Sequence, residues 1–169
     1  MAKAILLTSF RPWKAHQLEN SSEVMLQRLA PQLPPHARWV SGLVVNFDLA
    51  PIQVIAQVQL LRPKLVLCCG MAERRTHLTI EQWGKGSSQQ RSTRLDLATL
   101  VADTVHTRIS TDAGAFVCNH LYYRLLEYVQ TVQPSTHVLF VHVPKLTAQN
   151  WPVIEFDFLR LLRRLDATL

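Results

Sequence analysis

The sequence lacks several features that mark specialised classes of protein. Its 169 residues include only three cysteines and five glycines. The cysteines form no CxxC pair and no Cys/His spacing of the kind that binds zinc. No apolar run approaches the roughly 20 residues needed to cross a bilayer, and no repeat or low-complexity tract is present. We therefore expect no metal, no cofactor and no membrane partner.

What is present fits an ordinary globular protein. Hydrophobic residues make up 48% of the chain and charged residues 18%. This length predicts a single domain over residues 1–169. The N-terminal apolar run is interrupted at Thr8, Ser9 and Arg11, which favours a first strand over a signal peptide. We accordingly expect a cytoplasmic protein whose cysteines stay reduced.

The net charge of +6 raises the possibility of a nucleic-acid partner. The basic residues are scattered, however, with local clusters only at Arg74-Arg75 and within residues 160–164. The second cluster predicts the solvated face of a C-terminal helix whose leucines turn inward. Because no nucleic-acid-binding signature accompanies the charge, we do not expect such a partner.

Strand-like and helix-like segments alternate along the chain. Strands are predicted at residues 4–10, 38–45, 65–69, 76–81, 104–109 and 137–143. Helices are predicted at residues 20–29, 51–61, 96–103, 118–132 and 151–165. The glycines and serines in residues 84–96 predict a flexible loop. This alternation predicts a three-layer α/β/α fold with a mostly parallel central sheet.

Polar residues before three of the helices predict caps. Asn20, with Glu23 three residues later, has the form of a capping box. Asp48 and Asn150 each precede a helix with proline in its first turn.

Cys118 is the first candidate for chemistry. It lies near the start of the most periodic helix, whose apolar positions are Leu121, Tyr122, Leu125 and Val129. A thiol at a helix N-terminus has its thiolate favoured by the helix dipole and by unpaired backbone N–H groups. Most free cysteines are nevertheless simply small buried hydrophobes, so this position alone does not define a nucleophile.

His142 is the second candidate. It is the only ionisable group inside the apolar part of the last predicted strand, close to the end where active sites form in parallel sheets. Imidazole can take the thiol proton and later protonate a leaving amine. An acid should fix its tautomer, and sequence reasoning leaves four acids open: Glu81, Asp112, Glu73 and Asp48.

Four segments in order resemble the pyroglutamyl peptidase I (pyrrolidone-carboxylate peptidase) family of cysteine peptidases. They are LLTSFRPW at residues 6–13, RTHLTIE at 75–81, DAGAFVCN at 112–119 and FVHVP at 140–144. Together they span nearly the whole chain, and the last two are the most specific. The resemblance implies a divergent, shortened member with a single pyroglutamyl-peptidase-like domain.

The resemblance also implies residue roles. Position by position, the family's nucleophile falls on Cys118, its base on His142 and its acid on Glu81. Substrate-binding positions fall on three further residues, Phe10, Trp13 and Arg75. The implied reaction is removal of an N-terminal pyroglutamyl or related residue from a small peptide through a thioester acyl-enzyme. Family members often form oligomers, so a homo-oligomer is an expectation of the same kind.

The chain also departs from the family pattern. A family glycine is replaced by Ser9, the Phe-Gly-Gly after the proline becomes residues 13–15, and the glycine before Arg75 becomes Arg74. A long substrate-facing stretch is replaced by the short polar segment 82–94. Because these changes affect substrate-holding parts, the alternative is a non-catalytic or substrate-shifted member acting as a binding or interaction module.

Overall fold

The computed structural model describes residues 4–169 and contains eight strands and five α-helices within that range. The strands are β1 Ile5–Phe10, β2 Ala37–Leu43, β3 Leu65–Met71, β4 Thr79–Glu81, β5 Trp83–Lys85, β6 Gln90–Ser92, β7 Arg108–Ser110 and β8 His137–Val143. The helices are α1 Ser21–Leu29, α2 Leu49–Leu61, α3 Leu97–Val101, α4 Val117–Thr131 and α5 Trp151–Thr168.

Six strands form one sheet in the order β2-β1-β3-β8-β4-β7. Strands β2, β1, β3 and β8 run parallel, β4 is antiparallel to β8, and β7 is parallel to β4. The predicted mostly parallel sheet is therefore confirmed. That residues 1–169 form one domain stays a prediction, and residues 1–3 lie outside the described part.

Helices cover both faces of this sheet. One core layer combines β1, β3 and β8 side chains with those of α1, α3 and α5, and the other packs the opposite face against α2 and α4. Strands β1 and β3 are buried on both faces, and each accordingly begins with a continuous apolar run, ILL in β1 and LVLCC in β3, rather than an alternating pattern. The three-layer α/β/α architecture is confirmed.

Residues 84–96 are not the flexible loop that their composition predicts. Strands β5 and β6 form an antiparallel hairpin, with Trp83 opposite Ser92. The hairpin lies on α4 so closely that a Cβ added to Gly84 would come within 2.8 Å of the Tyr123 backbone. Packing on a helix, which short-range sequence patterns do not reveal, orders this segment.

The helix caps are only partly as predicted. Asn20 caps α1 by accepting from the Ser22 N–H at 3.1 Å. Glu23, however, completes no capping box: its carboxylate accepts hydrogen bonds from Ser9, Ser41 and the Gly42 N–H instead.

The two other predicted caps are wrong. Asp48 makes no side-chain cap on α2, where the Asn46 side chain accepts from the N–H groups of Asp48 and Leu49. Asn150 makes no side-chain cap on α5 and bonds the preceding turn at Thr147. The predicted strand at 104–109 is also shorter, because the N–H groups of residues 105 and 106 bond to the Asp157 carboxylate rather than to a strand.

The topology brings three strand ends to one edge of the sheet. Strands β1, β3 and β8 are parallel, so Phe10, Gly70 and His142 lie near their carboxyl ends at the same edge. Helix α4 begins beside them, since a Cβ added to Gly70 would lie 3.3 Å from the Cys118 Cβ. Within residues 4–169, no helix is both long and apolar enough to cross a membrane.

Candidate active site

Cys118 lies in the first turn of α4. The N-cap residue, Phe116, makes no side-chain cap, so the first N–H groups of the helix are left without such a partner. The backbone N–H groups of Cys118 and Asn119 act on the thiol by lowering its pKa. The side chain is half-buried, and its Sγ lies 3.6 Å from Nε2 of His142. The sequence-predicted thiol and imidazole are therefore in contact.

His142 is held from its other side by Glu81. Nδ1 lies 2.7 Å from Oε1 of Glu81, in the antiparallel pairing of β8 with β4. A carboxylate only accepts, so Nδ1 donates and the Nε2 lone pair faces the thiol of Cys118. Edge-on contact with the Phe140 ring at 4.6 Å further fixes the imidazole plane. The three side chains form a continuous chain from thiol to carboxylate.

Burial has the largest effect on the pKa values of the Cys118 thiol and the His142 imidazole. It raises the pKa of the Cys118 thiol to about 11, although the two backbone N–H groups lower it. Burial also lowers the pKa of His142, and the hydrogen bond to Glu81 offsets this only in part. Burial alone would raise the pKa of Glu81, but the hydrogen bond from His142 leaves it lowered. These shifts favour a neutral thiol and a neutral imidazole, whereas the position at the helix start alone favours the thiolate.

Three of the four candidate acids lie elsewhere. Asp112 pairs with Lys85 at 2.8 Å, and Glu73 pairs with Lys14 at 3.0 Å. Asp48 lies on the cavity wall at the start of α2. Only Glu81 contacts His142, and it is fully buried.

A cavity of about 900 Å³ opens in front of Cys118 and His142. Phe10 and Trp13 both line it. Phe10 is buried, whereas Trp13 is 51% exposed and its ring lies 6.1 Å from that of Phe116. The expected apolar positions therefore lie on the cavity wall, with an aromatic pair at its mouth.

Arg75 also borders the cavity, but protein groups surround its guanidinium. One terminal nitrogen lies 2.5 Å from Oε1 of Glu81 and also contacts Thr79. The other donates to the carbonyl oxygen of Asp112 at 2.8 Å.

The loop after β1, which carries Trp13, hydrogen-bonds to the carboxylate of Glu73, another residue of the cavity wall. Glu73 accepts from Lys14 at 3.0 Å and from Gln17 at 2.6 Å. Hydrogen bonds from these two residues, Gln17 first, lower the pKa of Glu73 to about 2. Lys14, at a position where the family pattern has glycine, thus forms an ion pair with Glu73.

Sequence reasoning missed two residues that shape the site. A Cβ on Gly70 would lie 2.7 Å from the Phe140 ring, so this glycine allows β8 and α4 to approach each other. Asn119 accepts from the Lys85 N–H at 2.8 Å and donates to the Lys85 carbonyl at 2.9 Å, which joins α4 to the hairpin. The signals in the sequence were that Gly70 follows an apolar run and that a polar residue, Asn119, comes directly after Cys118.

No group of three or more metal-ligating side chains occurs within the described range 4–169. Cys118, His142 and Glu81 bring a thiol, an imidazole and a carboxylate together at this site.

Comparison with known proteins gives concordant matches. The Pyroglutamyl peptidase family model matches residues 93–155, which include Cys118 and His142. A Pyrrolidone-carboxylate peptidase from Gloeobacter violaceus is 28% identical over 86% of this chain and 83% of its own length. A protein of the same name from Alkaliphilus oremlandii is 26% identical over 86% of this chain and 80% of its own.

Solved structures show the same fold. Pyroglutamyl Peptidase I from Bacillus amyloliquefaciens superposes with a TM-score of 0.83 at 22% identity, covering 98% of this chain and 97% of its own. Pyrrolidone carboxyl peptidase from Thermococcus litoralis superposes with a TM-score of 0.81 at 15% identity, covering 98% and 94%. The sheet order and helix layers described above are therefore those of this group of structures.

Proposed function

We propose that this chain, which is similar to pyroglutamyl peptidases in sequence and fold, is a divergent member of that family and a cysteine peptidase that removes an N-terminal pyroglutamyl or closely related residue from short peptides. The observation that carries the proposal is the chain from Cys118 Sγ to His142 Nε2 at 3.6 Å and from His142 Nδ1 to Glu81 at 2.7 Å. A fold of this kind needs none of these three side chains for stability, so their alignment supports a chemical role.

In the proposed reaction, Nε2 of His142 takes the Cys118 proton and the thiolate attacks the pyroglutamyl carbonyl carbon. The amide C–N bond breaks, and the imidazolium gives its proton to the leaving amine. Water, activated by the same imidazole, then hydrolyses the thioester to free pyroglutamate and thiol. Glu81 holds the tautomer that leaves Nε2 unprotonated and stabilises the imidazolium while it exists.

The start of α4 can stabilise the oxygen that becomes negative during attack. The N–H groups of Cys118 and Asn119 lower the pKa of the thiol, which is next to the position of the reacting carbonyl. Such donors are fixed in advance by the helix and need no rearrangement in the transition state.

The cavity supports a small, largely apolar acyl group. Phe10 provides a buried aromatic wall, and Trp13 and Phe116 form the mouth. A five-membered lactam fits such a pocket, and the open side leaves space for the peptide beyond it.

The test is release of fluorophore from a pyroglutamyl aminomethylcoumarin amide. We expect the wild-type protein to cleave it, and Cys118→Ala to lose activity by at least about 1000-fold. His142→Ala should lose roughly 100-fold or more, the usual contribution of general acid–base catalysis. Cys69→Ala is the matched control, because Cys69 packs in the other core layer, and it should retain activity.

Two results separate this proposal from its alternatives. Failure to cleave, together with a Cys118 that resists iodoacetamide, would leave a non-catalytic binding module. Alkylation of Cys118 that His142→Ala slows, without cleavage of the amide, would retain the thiol–imidazole pair but reject the substrate. That result would agree with the altered loops at residues 9–16 and 82–94.

Three further expectations accompany the proposal. We propose that residues 1–169 act as one pyroglutamyl-peptidase-like domain, that the protein works in the cytoplasm, and that it assembles as a homo-oligomer. Light scattering coupled to size-exclusion chromatography tests the last of these.

A further inference from the structure

The guanidinium of Arg75 has little capacity left for a ligand. One terminal nitrogen donates to Glu81 Oε1 at 2.5 Å and to the Thr79 hydroxyl. The other donates to the Asp112 carbonyl at 2.8 Å and to the Ser110 hydroxyl at 3.4 Å. A guanidinium has four N–H groups on these two nitrogens and one on Nε. All four terminal donors therefore have acceptors within the protein.

Those acceptors lie on the two halves of the candidate site. Glu81 is the carboxylate that holds His142. Asp112 belongs to the turn that leads through Gly114, at φ +76°, into helix α4 and Cys118. A single planar group therefore connects the acid to the segment that carries the thiol.

We propose that Arg75 is a positioning residue, which fixes the Glu81 carboxylate and the turn before Cys118 relative to each other, and that it does not bind substrate. The proposal rests on the proposed function of the three site residues. It replaces the substrate-binding role that family resemblance assigns to Arg75.

The charge of Arg75 also has a defined effect on the imidazole. Glu81 is fully buried, and its Oε2 has no hydrogen-bond partner among residues 4–169. The groups that face His142 are Cys118 from α4, Glu81 from β4, and Arg75 beyond Glu81. Removing the cation leaves the carboxylate charge unopposed, which favours the imidazolium. The pKa of His142 should then rise.

The experiment compares Arg75→Met and Arg75→Lys with wild type. We expect Arg75→Met to lower kcat for the pyroglutamyl amide by roughly 10- to 100-fold with less than about a threefold change in KM, as for loss of an interaction needed only in the transition state. The acidic limb of its pH profile should move to higher pH. In Arg75→Lys the acidic limb should lie at the wild-type pH, because an ammonium can still pair with Glu81. The value of kcat should be only partly restored, because one ammonium cannot also reach Asp112.

Two controls make the result specific. Arg108→Met removes an exposed arginine on the neighbouring strand β7 and should leave kcat, KM and the pH limb unchanged. In a Glu81→Gln background, Arg75→Met should no longer move the acidic limb, because the charge that it unmasks is absent. If Arg75→Met does not fold, the comparison of Arg75→Lys with wild type decides alone.

A KM increase of 10-fold or more at unchanged kcat, with no movement of the limb, would overturn the proposal in favour of substrate binding. If the wild-type protein cleaves no pyroglutamyl amide, the pH dependence of Cys118 alkylation by iodoacetamide is measured instead. The same shift in Arg75→Met would support the positioning role even though the proposed substrate had failed. An unshifted alkylation profile would reject the role.

Discussion

The environment of Cys118 combines two opposing effects. The N–H groups at the start of α4 favour a thiolate, while burial favours the neutral thiol. Burial prevails and raises the pKa of Cys118 to about 11. Because burial also lowers the pKa of His142, both shifts favour a neutral thiol beside a neutral imidazole. In the proposed reaction, these shifts favour His142 as a base during attack over a preformed thiolate–imidazolium pair.

This state predicts how Cys118 reacts with iodoacetamide as pH changes. A raised thiol pKa leaves only a small thiolate fraction at pH 7, and that fraction grows as the pH rises. We expect the alkylation rate to increase continuously from pH 6 to pH 10, by about tenfold per pH unit at most. Stopped-time mass spectrometry of the Cys118 peptide gives the rate.

His142→Ala serves as the comparison for that measurement. It should slow alkylation at pH 7 by roughly 10-fold, because the base that accepts the thiol proton is gone. A rate that is already high at pH 5 and flat to pH 8 would instead indicate a thiolate–imidazolium pair and contradict the neutral resting state.

At the scale of elements, the β5–β6 hairpin supports the start of α4. Asn119 forms two hydrogen bonds with the backbone of Lys85, and it is almost fully buried. These bonds hold the first turn of α4, and with it Cys118, against the hairpin. The hairpin is thus a supporting element of the site and not a separate appendage.

Asn119→Ala should loosen this junction. It leaves the N–H and C=O of Lys85 without their partner, which costs about 1–3 kcal/mol of stability when such groups are buried. Amides of residues 83–92 should then exchange faster with deuterium than in wild type, as measured by mass spectrometry.

His120→Ala is the matched variant, since it changes the next residue of the same helix, whose ring packs on Phe47. Its hairpin amides should exchange at the wild-type rate. Equal protection of the hairpin in Asn119→Ala and wild type would show that packing on Tyr123 alone holds the junction.

At the scale of the whole molecule, the titratable groups with shifted pKa values make the free energy of unfolding fall as the pH is lowered. Burial lowers the pKa of four histidines below the ordinary value of 6.5: His77, His120, His137 and His142. Such histidines bind protons more readily in the unfolded chain. Their contribution to stability is therefore complete above about pH 6.5 and is lost as the pH falls towards their folded pKa values.

Several carboxylates act in the same direction at lower pH. Hydrogen bonds and charges leave the pKa values of Glu81, Asp112 and Asp166 lowered in the folded protein. A carboxylate with a lowered folded pKa stabilises the protein above its unfolded pKa, and the benefit is lost as the pH falls further. The histidines and the carboxylates together predict that the free energy of unfolding falls in two successive steps as the pH is lowered.

Urea unfolding followed by circular dichroism at pH 7.5, 6.5, 5.5 and 4.5 tests this. The free energy of unfolding should fall steadily, first between about pH 6.5 and 5.5 from the histidines and then below about pH 4.5 from the carboxylates. His137→Gln should make the decrease between pH 6.5 and 5.5 smaller, because it removes one of the titrating histidines, at the start of β8. A stability maximum near pH 5.5 would contradict the prediction.

Much of the site could be predicted from sequence, but its geometry could not. Periodicity placed Cys118 at a helix start and His142 near a strand end, and the parallel-sheet rule placed both at one edge. Residue patterns alone left Glu81 among four acids, since the antiparallel pairing of β4 with β8 has no local signal. The role of Arg75 depends on contacts up to 37 residues away, which no local pattern encodes.

The sequence by itself determined the alternation of strands and helices, the buried central strands and the positions of the thiol and imidazole. These features follow from local periodicity and from short motifs. Only the tertiary structure decided which acid meets His142, how the segment at 84–96 folds, and whether Cys118 rests as thiol or thiolate. The reason is physical: hydrogen-bond partners and desolvation depend on groups brought together from distant parts of the chain.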